Sequence, residues 1–131
     1  MTVEALIIDD SPVARRIISH HLQQLGCKVI AEAENAALGI KLFREHKPQI
    51  VTLDLIMPAV EGIDAMASFH AMRKEDPSAA IIVVSAVPFE KTRRTLVEEG
   101  ALAYIIKPFN RFSFEQARTR LQRAFPELAV R

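Results

Sequence analysis

The chain has 131 residues, half of them apolar and a quarter charged; that is enough for one hydrophobic core and too little for two domains of ordinary size. Its 17 basic and 16 acidic residues leave a net charge of +1, which argues against a strongly cationic nucleic-acid binder. One cysteine, Cys27, excludes an internal disulfide and a multi-cysteine zinc site, and His20, His21, His46 and His70 lack the spacing of a zincin-type metal site.

In chain order, short apolar runs alternate with amphipathic stretches. The strand candidates are Ala5–Ile8, Lys28–Ala33, Ile50–Leu53, Ala80–Val84 and Ala103–Ile106. Continuous β-branched runs of this length suit central parallel strands covered on both faces. Ser11-Pro12 supplies an N-cap and a proline at the first helical position. Val13, Ile17, Leu22 and Leu25 follow at core-facing spacing, and Gly26 ends that helix. Asn35 caps a second helix carrying Leu38, Leu42 and Phe43, with Gly39 inside it at some cost in propensity. A third is predicted over Ile63–Glu75, with Met66, Phe69 and Met72 on one face and Pro77 beyond. A fourth spans Phe89–Glu99, ended by Gly100, and a fifth spans Arg111–Phe125, with Phe114, Ala117, Leu121 and Ala124 at helical spacing.

Five strands alternating with five helices predict an α/β fold: a five-stranded parallel sheet, doubly wound in the flavodoxin-like (βα)5 manner. The whole chain reads as a single domain with its core over about residues 4–124. No segment approaches the length of a membrane span, and Met1 to Glu4 lacks the basic start of a signal peptide. A cytoplasmic protein with a reduced thiol is expected.

Ligands of such sheets bind beyond the carboxyl ends of the strands. Asp9 and Asp10 stand there after the first strand, Asp54 after the third, Ser85 after the fourth and Lys107-Pro108 after the fifth. The second contributes Glu32 and Glu34, to which this reading gives no role. Singly, each residue has a plain use, since an acid after a strand commonly caps the next helix. Together, three carboxylates repel one another and must take up protons or a cation. All-oxygen ligands favour Mg²⁺. With Lys107 and Ser85 opposite, such a site suits a phosphate dianion, and a carboxylate beside the metal can attack phosphorus. Asp54 is the central carboxylate.

These residues resemble those of the response-regulator receiver domain, the CheY-like phosphoacceptor module of two-component signalling. The resemblance runs from Leu6 to about Ala124. Its landmarks are Ile7-Ile8-Asp9-Asp10-Ser11 with Arg15 and Arg16, Asp54-Leu55-Ile56-Met57-Pro58 on to Gly62, Val84-Ser85-Ala86, Gly100-Ala101, and Tyr104-Ile105-Ile106-Lys107-Pro108-Phe109. The resemblance implies that Asp54 accepts a phosphoryl group from a histidine kinase or histidine phosphotransfer protein. It implies Mg²⁺ held by Asp9, Asp10, Asp54 and the Ile56 carbonyl, with Asp10 nearer the metal. Ile56, Met57 and Ala86 are the implied phosphate-binding positions. Lys107 would hold a phosphoryl oxygen and pair with Asp54 before modification, its bond to Pro108 cis. Ser85 would be the switch hydroxyl, and Tyr104 the ring that turns inward when Ser85 moves.

Departures are Ser85 for the commoner threonine, Glu61 for aspartate, Ala103 before Tyr104, and Pro88 close after Val87. None removes the acceptor, the metal acids or the lysine. The resemblance implies that the residues two after the acceptor and two after the switch hydroxyl flank the approach of water to phosphorus; here they are Ile56 and Val87, both apolar, which predicts a slowly hydrolysed phosphate. Residues 1–85 hold 8 basic and 11 acidic residues, and residues 86–131 hold 9 and 5. The basic excess is either a solvated face or a docking surface for an acidic protein partner on the helix 4–strand 5–helix 5 face. Direct binding of nucleic acid or membrane is not expected, and the protein is expected to be a monomer or a phosphorylation-dependent dimer. Two alternatives stand beside this reading. A small aspartyl-nucleophile phosphohydrolase usually carries a second aspartate where Ile56 lies. A flavodoxin-type cofactor binder would want a phosphate loop where Asp9-Asp10-Ser11-Pro12 lies. The chain ends soon after the fifth helix with no effector domain, as a single-domain regulator or the receiver part of a longer one.

Overall fold

The computed structural model describes residues 2–86, 89–108 and 110–128. Its elements are β1 (Val3–Ile8), α1 (Pro12–Gln24), β2 (Cys27–Ala33), α2 (Ala36–His46), β3 (Ile50–Leu53), α3 (Ala65–Glu75), β4 (Ala80–Ser85), α4 (Glu90–Glu98), β5 (Ala103–Ile106), a 3₁₀ turn (Arg111–Phe114) and α5 (Glu115–Ala124). The five strands are parallel in the order β2-β1-β3-β4-β5. The predicted α/β architecture is therefore present, with the change in strand direction of travel between β1 and β3. No helix among the described residues is long and apolar enough to cross a membrane.

Alternation along the strands splits the core in two. Ala5, Ile7, Ile50, Ile82 and Ile105 face α1 and α5, where Ile18, Leu22, Ala117 and Leu121 pack on them. Leu6, Ile8, Val51, Leu53, Ile81 and Val83 face the other side, against Phe43, Phe69, Met72 and Leu96. With both faces covered, β1, β3 and β4 are buried almost throughout, which is why they read as apolar runs, whereas β2 at the sheet edge exposes Lys28 and Glu32.

Several element boundaries and faces differ from expectation. On α1 the core stripe is Ala14, Ile18 and Leu22, continued by Leu25, whereas Val13 is 64% and Ile17 41% exposed. Both stripes are apolar and one residue apart, so spacing alone did not separate them; the Ser11 cap and Pro12 fix the helix phase. On α2 the deeply buried residues are Ala36, Gly39, Ile40 and Phe43, while Leu38 and Leu42 are only partly covered. Ile63 does not belong to α3. It exchanges backbone hydrogen bonds with Val60 across a two-residue turn, in which Glu61 and Gly62 both have positive φ, at 55° and 76°. The helix begins only after Asp64, whose side chain accepts from the Ala67 N–H. Phe89 is the exposed N-cap of α4 rather than part of it. The fifth helix opens as a 3₁₀ turn because Asn110 and Ser113 form a reciprocal capping box, and Ala124 at its end is exposed.

Gly39 has a packing reason for its place in α2. A Cβ there would lie 2.6 Å from Ile8 Cδ1 and within 3.1 Å of two further Ile8 carbons. Ile8 is fully buried and directly precedes Asp9. Gly39→Ala should therefore destabilise the fold by about 1–2 kcal/mol despite its better helix propensity. Ile8→Val in the same background should recover part of the loss, both read by chemical denaturation. On the opposite face, the Thr52 hydroxyl is buried without a hydrogen-bond partner, between Ile7 and Ile82 on the flanking strands. Thr52→Val removes that desolvated group and should stabilise the chain by about 1 kcal/mol in the same assay.

Candidate functional site

The carboxyl ends of β1, β3, β4 and β5 carry Asp9, Asp54, Ser85 and Lys107 to one rim. Parallel pairing sets this convergence: Ile8 lies opposite Leu53, and Ser85 opposite Ile106. The Asp54 N–H donates to the Ile8 carbonyl at 3.0 Å and the Lys107 N–H to the Ser85 carbonyl at 2.8 Å, extending the ladders one residue past the strands. The Lys107–Pro108 bond is cis, as expected.

Asp9, Asp10 and Asp54 each place a carboxylate oxygen within 4.8 Å of the others. Asp9 and Asp54 are buried and Asp10 is exposed. Lys107 Nζ donates to Asp9 Oδ2 at 2.7 Å and to Asp54 Oδ2 at 3.2 Å. The expected pairing with Asp54 is thus present, but shared, and the bond to Asp9 is the shorter. Asp9 is held on every side. Its N–H donates to the Ala33 carbonyl at 2.9 Å, Oδ1 accepts from the Ser11 N–H at 2.9 Å, and its carbonyl accepts from Arg15 Nη1 at 2.7 Å. Asp54 Oδ1 accepts from the Ile56 N–H at 3.1 Å.

Burial raises the Asp54 pKa, and the Asp9 charge adds to the rise; the Ile56 N–H and Lys107 oppose it. For Lys107, burial pulls the pKa down, but the hydrogen bond to Asp9 and the charges of Asp54 and Asp9 outweigh it, so it is raised. The ammonium is therefore fully charged at neutral pH beside a carboxylate that ionises reluctantly. Three clustered carboxylates against one ammonium leave an excess of negative charge, and every donor is a hard oxygen. The residues present fit a divalent cation of the magnesium type.

Ser85 is fully buried and hydrogen-bonded to Tyr104. Burial raises the Tyr104 pKa, with Asp54's charge adding and the Ser85 bond opposing. The ring packs against the core on the α2–α4 side. Tyr104 thus lies beside Ser85. Of the remaining predicted positions, Met57 is buried, Ile56 projects a side chain that is 56% exposed, and Ala86 is exposed. Val87, Pro88 and Phe109 lie outside the described residues.

Sequence reasoning left one linkage unread. Arg15 Nε pairs with Glu32 Oε1 at 3.1 Å while Nη1 of the same guanidinium holds the Asp9 carbonyl. The available signal was an arginine one turn after the Ser11 cap and an acid at the end of the strand beside β1.

Residues 5–118 match the model of the response regulator receiver domain. The chain is 37% identical over 107 residues to the chemotaxis protein CheY of Listeria monocytogenes, covering 82% of this chain and 87% of that one. It is 36% identical over 109 residues to CheY of Bacillus subtilis, covering 83% and 88%. A crystal structure of a CheX–CheY complex with BeF3 and Mg²⁺ from Borrelia burgdorferi superposes with a TM-score of 0.80 at 25% identity, covering 93% of this chain and 88% of that one. With its fold and its acidic pocket, the chain belongs to the response regulator receiver domain family of two-component signalling, as a CheY-like receiver whose pocket fits phosphorylation.

Proposed function

We propose that the protein is a phosphoacceptor switch in a two-component phosphorelay, and that Asp54 is the acceptor. The observation that carries this is the Asp54 carboxylate, buried at the rim where the sheet reverses its order, 3.2 Å from Lys107 and clustered with Asp9 and Asp10. In the transfer, an Asp54 oxygen attacks phosphorus in line, the P–N bond to a donor histidine breaks, and the imidazole leaves with that electron pair. An acyl phosphate forms. Lys107 is placed to neutralise a phosphoryl oxygen, and the Ile56 N–H already aims at the acceptor carboxylate. Magnesium, held by Asp9, Asp10, Asp54 and the Ile56 carbonyl, would supply charge stabilisation for the transferring oxygens. Ile56, Met57, Ala86 and Ser85 complete the phosphate-binding set.

The new charge of about −1.5 to −2 offers the Ser85 hydroxyl a strong, charged acceptor. Ser85 then exchanges its bond to Tyr104 for one to the phosphoryl group, and the ring follows. Tyr104 lies on β5, so the change reaches the α4–β5–α5 face. Phe89, Val97, Ile106 and Phe112 are exposed in that part of the molecule. Arg93, Arg94 and Arg118 add positive charge. This face is the proposed docking surface for an acidic downstream protein. The CheX–CheY structure from Borrelia supports a protein partner in general terms. We place the protein in the cytoplasm, as a regulator whose own chemistry is self-phosphorylation and slow dephosphorylation, acting alone or as the receiver of a longer regulator. The phosphohydrolase alternative is disfavoured because Ile56 offers no acid to a leaving group.

Two outcomes are expected. Incubation with acetyl phosphate and Mg²⁺ should add one phosphoryl mass to the wild type, and Asp54→Asn should abolish the increment in intact-mass spectra; full labelling of that variant would remove Asp54 as acceptor. The variant should also be more stable than wild type at neutral pH. A raised folded-state pKa means that the native chain binds the Asp54 proton more tightly than the unfolded chain, so ionisation costs stability as pH rises through that pKa. The stability gap should narrow on acidification, because Asn has no proton to gain.

The second concerns lifetime. The Ile56 side chain is exposed two residues after Asp54, its own N–H bonded to that carboxylate, and being apolar it cannot orient water. Ile56→Asn should accelerate decay of the phosphorylated protein by roughly tenfold, a change of ~1.4 kcal/mol in the barrier, followed as loss of the phosphoryl mass with time. An unchanged decay would show that water access at Ile56 does not limit hydrolysis.

A further inference from the structure

We infer that Arg15, braced by Glu32, is a positioning residue that sets the orientation of Asp10 for cation binding; this rests on the reading of the acidic cluster as a magnesium site. The Asp9 carbonyl belongs to the peptide unit that joins Asp9 to Asp10. Arg15 Nη1 holds that carbonyl at 2.7 Å, and the same guanidinium is fixed from its Nε by Glu32 at 3.1 Å. Arg15 is only 19% exposed, against 46% for Glu32, so the arginine is packed and the acid reaches it from the rim. Glu32 is in turn fixed by the sheet, opposite Ile7 in the β1–β2 pairing.

The consequence for Asp10 is geometric. Asp9 itself is tied by Ala33, Ser11 and Lys107. Asp10 is exposed, and its Cα–Cβ direction depends on the plane of the peptide that precedes it. With the Asp9 carbonyl pinned, that plane cannot rotate, and the Asp10 carboxylate stays on the side of Asp54. A planar fork with separate donors is needed to hold a carbonyl and a carboxylate at once; an ammonium on a flexible stem does not reproduce the arrangement.

The sign of the effect separates positioning from simple charge. Arg15 is a cation near three carboxylates. If it acted only through its field, its removal would relieve repulsion and tighten Mg²⁺ binding. If it positions Asp10, its removal weakens binding.

The test is calorimetric titration of the unphosphorylated full chain with MgCl₂ alone. Arg15→Gln should weaken Mg²⁺ by about tenfold, Arg15→Lys should fail to restore it, and Glu32→Gln should weaken it less. The Arg15→Gln, Glu32→Gln pair should be no weaker than Arg15→Gln, as expected for residues acting as one unit. Without metal, Arg15→Gln should shift the Asp10 amide resonance more than the amides of β3. Unchanged or tighter binding in Arg15→Gln, wild-type affinity in Arg15→Lys, or fully additive losses would each overturn the inference. Glu32→Gln alters an exposed side chain, so it decides the matter even if Arg15→Gln folds poorly: weakened Mg²⁺ binding supports the inference and wild-type affinity overturns it. A wild-type chain that takes up no Mg²⁺ would instead overturn the magnesium reading itself, and this inference with it.

Discussion

One ammonium group holds the rim of this molecule together. Lys107 reaches both Asp9 and Asp54 from the far side of the sheet. Without it, two buried carboxylates would face each other across the β1–β3 boundary with only backbone N–H groups to support them. Burial and the Asp9 charge push Asp54 toward protonation, and the lysine opposes that push. One positive charge does not balance three acids. The surplus of hard oxygen donors suits the site to a further cation.

That arrangement depends on the sheet. Residues distant in sequence meet only because parallel pairing brings the ends of β1, β3, β4 and β5 level. The register is in turn fixed by the core on both faces, since a slip of one residue would exchange Ile7 with Ile8 and put each in the wrong layer. The close approach of α2 to Ile8 belongs to the same logic. Gly39 lets the helix sit against the side chain of Ile8, the residue that precedes the acidic pair. Helix propensity is lost at Gly39 and close packing on Ile8 is gained.

The strands and the site acids were legible because their signals are local. Ala80–Val84 is apolar without interruption and Ile50–Leu53 is broken only by Thr52, and Asp54 and Ser85 stand at the ends of these runs. What escaped was whatever depends on a choice between equivalent local patterns or on a distant partner. Val13 and Ile17 are as apolar as Ala14 and Ile18, and only the phase fixed by Ser11 and Pro12 selects the buried stripe. Ile63 continues the helical pattern of α3, but its backbone is already used by Val60 across the turn. The Arg15–Glu32 pair needed the β1–β2 register before the two could be seen as neighbours. The contact between Ser85 and Tyr104 likewise depends on how β4 and β5 sit beside each other.

The acids of the first strand end illustrate why neighbouring residues of one type need not share a task. Asp9 is buried and both of its carboxylate oxygens already accept protein donors, from Ser11 and Lys107. Moving it would unseat the lysine and, through the lysine, Asp54. Asp10, one residue on, is exposed although its carboxylate lies within 4.8 Å of those of Asp9 and Asp54. A metal that must keep several waters and enter and leave readily is better served by the exposed acid than by the buried one. The buried acid then acts as the fixed wall against which both the lysine and the exposed acid are set. Two equal side chains are thereby divided by burial: Asp9 is committed to the lysine and the backbone, and Asp10 stays accessible from solvent.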